Sequence, residues 1–220
     1  MTDEKEQLDA IAEIRNMMER STRFLSLSGL SGVFAGIFAL AGAAAAYVRL
    51  EKVLFASEYS ENLRSASDSV SSISAGKGTG TLEFIFMDAI LVLLASLLFG
   101  LFFTYRKAKK KGLKVWDASS RRMAASLFIP LVAGGLFCLE LLHHQMISMI
   151  APATLLFYGM GLLNASKYTF NDIRYLGITE IILGLAAAWF HGSALLFWAI
   201  GFGLMHILYG AAMWYKYERV

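Results

Sequence analysis

The run Leu82–Tyr105, LEFIFMDAILVLLASLLFGLFFTY, carries only Glu83 and Asp88 as charges. Its length of about 24 residues, at 1.5 Å per residue, is enough to cross a hydrocarbon core about 30 Å thick. Five further runs of the same kind surround it: Phe24–Val48, Met123–Leu142, Met146–Ser166, Tyr175–Phe190 and Ser193–Trp214. Together they take up most of the 220 residues, 57% of which are hydrophobic, and leave little chain for a soluble domain. A backbone inside lipid has to satisfy its own hydrogen bonds, and a helix does so within one segment. The expected fold is therefore all-α, an integral membrane bundle of six transmembrane helices with an amphipathic N-terminal helix. The expected organisation is a cytoplasmic helix over residues 1–23, a six-helix transmembrane domain over 24–220, and an outside loop at about 49–81.

Charge sets the orientation. Of the 20 Lys and Arg, only Arg49, Lys52, Arg64 and Lys77 fall outside when the N-terminus is cytoplasmic. That bias places both termini inside. Tyr47, Tyr105, Tyr175, Trp189, Trp214 and Tyr215 lie near the expected span ends, where amphipathic rings prefer the headgroup layer. The net charge of +3 does not indicate nucleic acid, because the cations are divided among short segments beside the spans. Anionic lipid is the expected partner of the Arg106–Arg122 stretch, each charge contributing on the order of 1 kcal/mol near the surface. The single cysteine, Cys138, excludes an intrachain disulfide. Ala41–Ala46 offers small residues at the spacing of a cleavage site, but the long charged leader and the length of the first apolar run fit an uncleaved anchor better.

Leu8, Ile11, Ile14, Met17 and Met18 recur every three or four residues, with Glu6, Asp9, Glu13 and Arg20 on other faces. Residues 4–23 are thus expected to form a helix whose apolar stripe packs against the Arg106–Arg122 loop or engages a protein partner or a second copy of the chain. Six acids against four bases make the negative inner leaflet the weakest alternative. The outside loop reads as a short helix around Leu50–Leu63 followed by a Gly-rich tether, Ala75–Thr81. Gly76–Thr81 lacks the order of a phosphate loop and is taken as linker. Short connections after the second span predict antiparallel hairpins through spans two to six. Gly29, Gly32 and Gly36 give the first span a face on which a neighbour can pack backbone to backbone. Pro130 and Pro152 fall within or near the ends of spans three and four, where either can kink a helix.

Two polar clusters stand out from the apolar background. Gly177–Gly184 (GITEIILG) and Gly203–Gly210 (GLMHILYG) each place glycine three residues before and four after an ionisable residue, Glu180 and His206. Each polar group thereby falls on its helix's smallest face, about 5 and 8 residues inside the cytoplasmic span ends. A Glu180–His206 contact would satisfy both, and Asn164 at the inner end of span four is expected to complete the group. Asp88, about 6 residues inside span two, also needs a partner. Such residues persist in hydrocarbon only when paired, neutralised or facing water. The second cluster is Glu140, His143 and His144, an E-x-x-H-H that could hold a divalent metal, with Glu83 and His191 at comparable depth. A single E-x-x-H is a weak signal, and no nucleophile stands beside it.

The stretches Phe24–Gly36 (FLSLSGLSGVFAG) and Asn164–Glu180 (NASKYTFNDIRYLGITE) resemble a family of small, uncharacterised bacterial multi-pass membrane proteins. The resemblance implies a bacterial inner membrane and brings no activity or site with it. No stretch reads as a catalytic or nucleotide-binding motif. The expected function is accordingly a non-enzymatic, partner-binding or self-associating membrane protein. The alternative is a small proton-coupled transporter or channel using Glu180 and His206.

Overall fold

The computed structural model describes residues 27–64, 77–110, 112, 116–190 and 192–219, together with Gln7, and the side chains of these residues apart from 53–64, 77–79 and 82. Apart from Gln7, the expected N-terminal helix lies outside the described residues, as does His191. Six helices follow one another: α1 (Gly29–Arg64), α2 (Lys77–Lys110), α3 (Ala118–His143), α4 (Ile150–Ala165), α5 (Asp172–Trp189) and α6 (Ala194–Tyr217). There is no strand among the described residues. Short 3-10 turns, Ile147–Met149 and Ser166–Tyr168, precede and follow α4.

Five helical stretches are long and apolar enough to cross a membrane: Gly29–Lys52, Glu83–Lys110, Ala118–His143, Ile147–Tyr168 and Ala194–Tyr217. Six were expected. The difference is α5, which carries Asp172, Arg174 and Glu180 within 18 residues and is too charged to count by composition.

The loop expected at 49–81 is helical wherever it is described. α1 continues unbroken from Gly29 to Arg64, so the short helix expected around Leu50–Leu63 is its extension. Residues 77–81, expected as tether, form the first turns of α2. At the far end of α2, Gly112 turns the chain with φ of +65°, a conformation that glycine adopts at no steric cost. α3 then starts on a reciprocal cap: Asp117 Oδ1 accepts from the Ser120 amide and Ser120 Oγ from the Asp117 amide, each at 2.7 Å.

Packing is organised around α6, which touches α1 on one side and α4 and α5 on the other. α2 packs on α1, and α3 on α4. The expected hairpins α3–α4, α4–α5 and α5–α6 form, but α2 and α3 do not make a packed pair. The two outermost helices show their apolar side chains to the surroundings, with Leu91, Leu93 and Leu98 each 66% exposed and Ile129 70%. A water-soluble monomer does not leave apolar helix faces of that size uncovered, so the architecture is compatible with a multi-pass membrane protein.

Glycine sets the closest approaches. A Cβ on Gly36 would lie 2.6 Å from the Gly203 carbonyl oxygen, and one on Gly210 would lie 2.6 Å from the Val33 amide nitrogen, so α1 and α6 meet backbone to backbone along the expected Gly29–Gly36 face. α4 and α5 do the same through Gly159 and Gly177. At one end of the bundle Glu218 ties three helices together. Its carboxylate accepts from the Gly29 amide at 2.6 Å and from Ser28 Oγ at 3.1 Å, both at the N-terminus of α1. It also pairs with Lys107 of α2 at 3.2 Å. The carboxylate complements the positive end of the α1 dipole, and Lys107 in turn donates to the Leu27 carbonyl at 2.6 Å. Lys107 is thus buried in the fold and withdrawn from the basic stretch assigned to lipid, whereas Arg106, Lys109, Lys110, Arg121 and Arg122 are exposed.

Candidate functional site: the buried Glu180–His206 pair

Glu180 sits in the middle of α5 and is completely buried. Its Oε1 lies 3.4 Å from Nδ1 of His206 on α6, a residue also buried. The two residues singled out in the sequence are therefore in contact, but not by the route their glycines suggest. Gly177 and Gly184 face α4, where added Cβ atoms would meet the backbone of Gly159, Leu163 and Leu156, while Gly203 and Gly210 face α1. Neither glycine pair lies between Glu180 and His206. The residue that makes room is Gly201, against which the Glu180 carboxyl packs: a Cβ there would collide with Oε2 and lie 2.6 Å from Leu155 Cδ2.

Gly201 belongs to a π-helical stretch, Ala199–Met205, set in the middle of α6. Such wider turns are rare and recur at functional sites. The stretch ends at His206, whose Nδ1 reaches back five residues to the Gly201 carbonyl at 3.0 Å, while Nε2 lies 2.8 Å from the Tyr158 hydroxyl on α4. These partners assign the tautomer of a neutral ring: Nδ1–H donates to Gly201, and Nε2 accepts from Tyr158 O–H. The carbonyl is the nearer of the two acceptors facing Nδ1–H and takes the hydrogen bond. Both carboxyl oxygens of Glu180 are then left with no hydrogen-bond partner in a buried site. Aromatic rings enclose the ring side of the group, with Phe202 stacked on His206 at 5.8 Å and against Tyr158 at 4.9 Å.

An ionised carboxylate in such a place costs several kcal/mol unless a proton or a cation joins it. The arrangement has one chemical capacity: Glu180 can take up a proton, and His206 can accept one at Nε2 or release one at Nδ1, with Tyr158 continuing the chain. Tyr158 and Gly201 were not singled out in the sequence. A tyrosine in an apolar run carries no periodic signal, and Gly201 is one glycine among 19.

The other expected site residues lie elsewhere. Asn164 is turned toward α3, where its Nδ2 donates to the Ser126 carbonyl at 3.2 Å. That carbonyl stands four residues before Pro130, which has no N–H to offer it, so the amide fills a vacancy in the α3 ladder. Asp88 packs against α1 at Gly42, where an added Cβ would be 3.1 Å from its Oδ2. Glu140 pairs with His144 rather than His143, at 2.9 Å in an exposed i,i+4 contact. No three His, Cys, Asp or Glu side chains among the described residues come together as a metal would require.

Fold and site define an all-helical protein with several helices able to cross a membrane and a buried acid–imidazole pair between two of them. No family model matches the chain, and comparison with curated proteins and with solved structures finds no match either. The resemblance of Phe24–Gly36 and Asn164–Glu180 to a bacterial family consequently adds nothing to the reading of the site.

Proposed function

We propose that the protein is a six-span membrane protein with both termini cytoplasmic, in the bacterial inner membrane, and that it works by binding and releasing a proton at Glu180. Proton-coupled transport or conduction is the activity that follows. The observation that carries this reading is the pair of Glu180 carboxyl oxygens, fully buried and without a hydrogen bond. A carboxyl kept only to fix helix register would be expected to accept hydrogen bonds, since a half-satisfied polar group is worse for stability than an apolar one. α5 is the span that composition omits, and the charge that excludes it is in part this residue. An acid on a span is retained at a cost, which is why intramembrane acids mark ion pathways.

Partner binding through residues 4–23 remains the expectation of the sequence and lies outside the described residues. Deleting residues 1–20 and measuring the assembly state tests it separately. The proton reading is tested in proteoliposomes carrying an internal pH dye, under an imposed pH gradient and membrane potential. The unaltered protein is expected to pass protons, and Glu180→Gln to abolish the flux. Absence of flux in the unaltered protein, or full flux in the variant, would end the reading.

A further inference from the structure

Between α1 and α2 lies a trough of about 490 Å³ lined by Ala44, Ala45, Val48, Arg49, Lys52 and Phe84. Its chemistry is divided along the helix axis. Ala44, Ala45, Val48 and Phe84 form an apolar wall, and Arg49 and Lys52, three residues apart and so on one side of α1, stand at its rim where the apolar stretch Gly29–Lys52 ends. The small alanines create the space, and Phe84 closes it from α2. The Arg49 guanidinium lies 5.7 Å from the centre of the Phe84 ring, within cation–π range. Glu51 and Glu83 are exposed on the same two helices but do not line the trough, and Asp88 lies against Gly42.

The positive-inside bias makes these cations unusual. The outside segments hold only Arg49, Lys52, Arg64 and Lys77, and two of these converge on one trough. An occupant has to be anionic at the rim and apolar along the wall. We infer that this trough binds one anionic phospholipid, its phosphodiester oxygens on Arg49 and Lys52 and an acyl chain along Ala44, Ala45, Val48 and Phe84. A phosphodiester presents two oxygens to a guanidinium fork and a neighbouring ammonium, and the bilayer supplies the chain.

Native mass spectrometry of the full chain, released from detergent micelles doped with phosphatidylglycerol or phosphatidylcholine, tests the site. One phosphatidylglycerol is expected to stay bound under activation that strips phosphatidylcholine. Arg49→Ala or Lys52→Ala should each weaken retention about 5-fold and the double variant about 30-fold. Arg174→Ala, which removes an exposed cation at the other end of the bundle near the Asp172–Lys216 pair, should keep the lipid. Equal retention of the two lipids, unchanged binding in the double variant, or displacement of the lipid by millimolar inorganic phosphate would each overturn the assignment.

Discussion

Glu180 and Asn164 are both polar residues in apolar helices, and their surroundings give them opposite roles. Nothing donates to Glu180, so replacing its carboxyl by an amide of the same shape removes no hydrogen bond. Glu180→Gln is therefore expected to change stability by less than about 1 kcal/mol. Were the carboxylate ionised and held by a protonated His206, the same change would strand a buried charge and cost about 3–5 kcal/mol, which chemical unfolding in detergent would resolve. Asn164 has the contrary profile. Its amide serves the Ser126 carbonyl that Pro130 leaves unpaired, and Asn164→Ala is expected to cost about 1–3 kcal/mol. In a Pro130→Ala background the α3 ladder supplies its own donor, and that cost should shrink. A double-mutant cycle with no coupling would break the link between the two residues. The sequence paired Glu180 with His206, which are in contact, but it assigned Asn164 to the same group and missed Ser126, because a polar residue on a helix does not by itself encode which neighbour it will meet.

The helices are held apart or together by single carbon atoms. At Gly177 a Cβ would come within 2.8 Å of both the Gly159 carbonyl oxygen and the Leu163 amide nitrogen, backbone atoms of α4 that cannot turn aside. Gly177→Ala is expected to part α4 from α5 and to cost about 3 kcal/mol. Gly135 on α3 meets nothing within 4 Å, and Gly135→Ala should leave the protein unchanged or slightly more stable through helix propensity alone. Equal effects of the two substitutions in thermal unfolding would contradict the packing described for α4 and α5. The glycine spacing was legible before the structure, and it did mark close-packed faces. It misled on the partner: Gly177 and Gly184 face α4, and the approach of α5 to α6 runs through Gly201. Spacing along one helix reports which face is small, whereas the helix that fills that face is chosen by the bundle.

For the molecule as a whole, the end of the bundle that carries Glu218 also holds a titrating anchor. Asp172, the first residue of α5 and ahead of the expected run Tyr175–Phe190, accepts from Tyr217 Oη at 2.7 Å and from Lys216 Nζ at 3.3 Å. Partial burial by itself would lift its carboxyl, and these hydrogen bonds outweigh that effect and hold it below the ordinary carboxylate value. A lowered folded-state value contributes stability above the unfolded-state value and loses it as pH falls through the folded one. Thermal stability should therefore decline in that acid window, and Asp172→Asn should flatten the decline. Superimposable pH profiles would show that the anchor contributes nothing. The orientation of the molecule is tested on a background with Cys138 replaced by Ala, using a membrane-impermeant thiol reagent applied from outside. A cysteine placed at Ser69 is expected to label and one at Lys110 to remain protected; the reverse pattern would invert the topology.

What the sequence by itself determined is the secondary structure, with helices long and apolar enough to cross a membrane. Apolar runs of this length can satisfy their backbone only as helices, and that follows from composition and length without any knowledge of neighbours. It also marked Glu180 and His206, because an ionisable residue in such a run is conspicuous whatever surrounds it. Local pattern failed where helices end: the helix expected around Leu50–Leu63 is no separate element but the continuation of α1, and residues 77–81, expected as tether, belong to α2, since a helix that has left the apolar region keeps its own hydrogen bonds. Only the tertiary structure decided that α6 stands between α1 and the α4–α5 pair, that a π stretch in α6 brings Gly201 under the Glu180 carboxyl, and that Tyr158 reaches His206. Each of these depends on the relative rotation of helices far apart in the chain. That rotation is set by which small faces close against which, a property of the assembled bundle that no single segment carries.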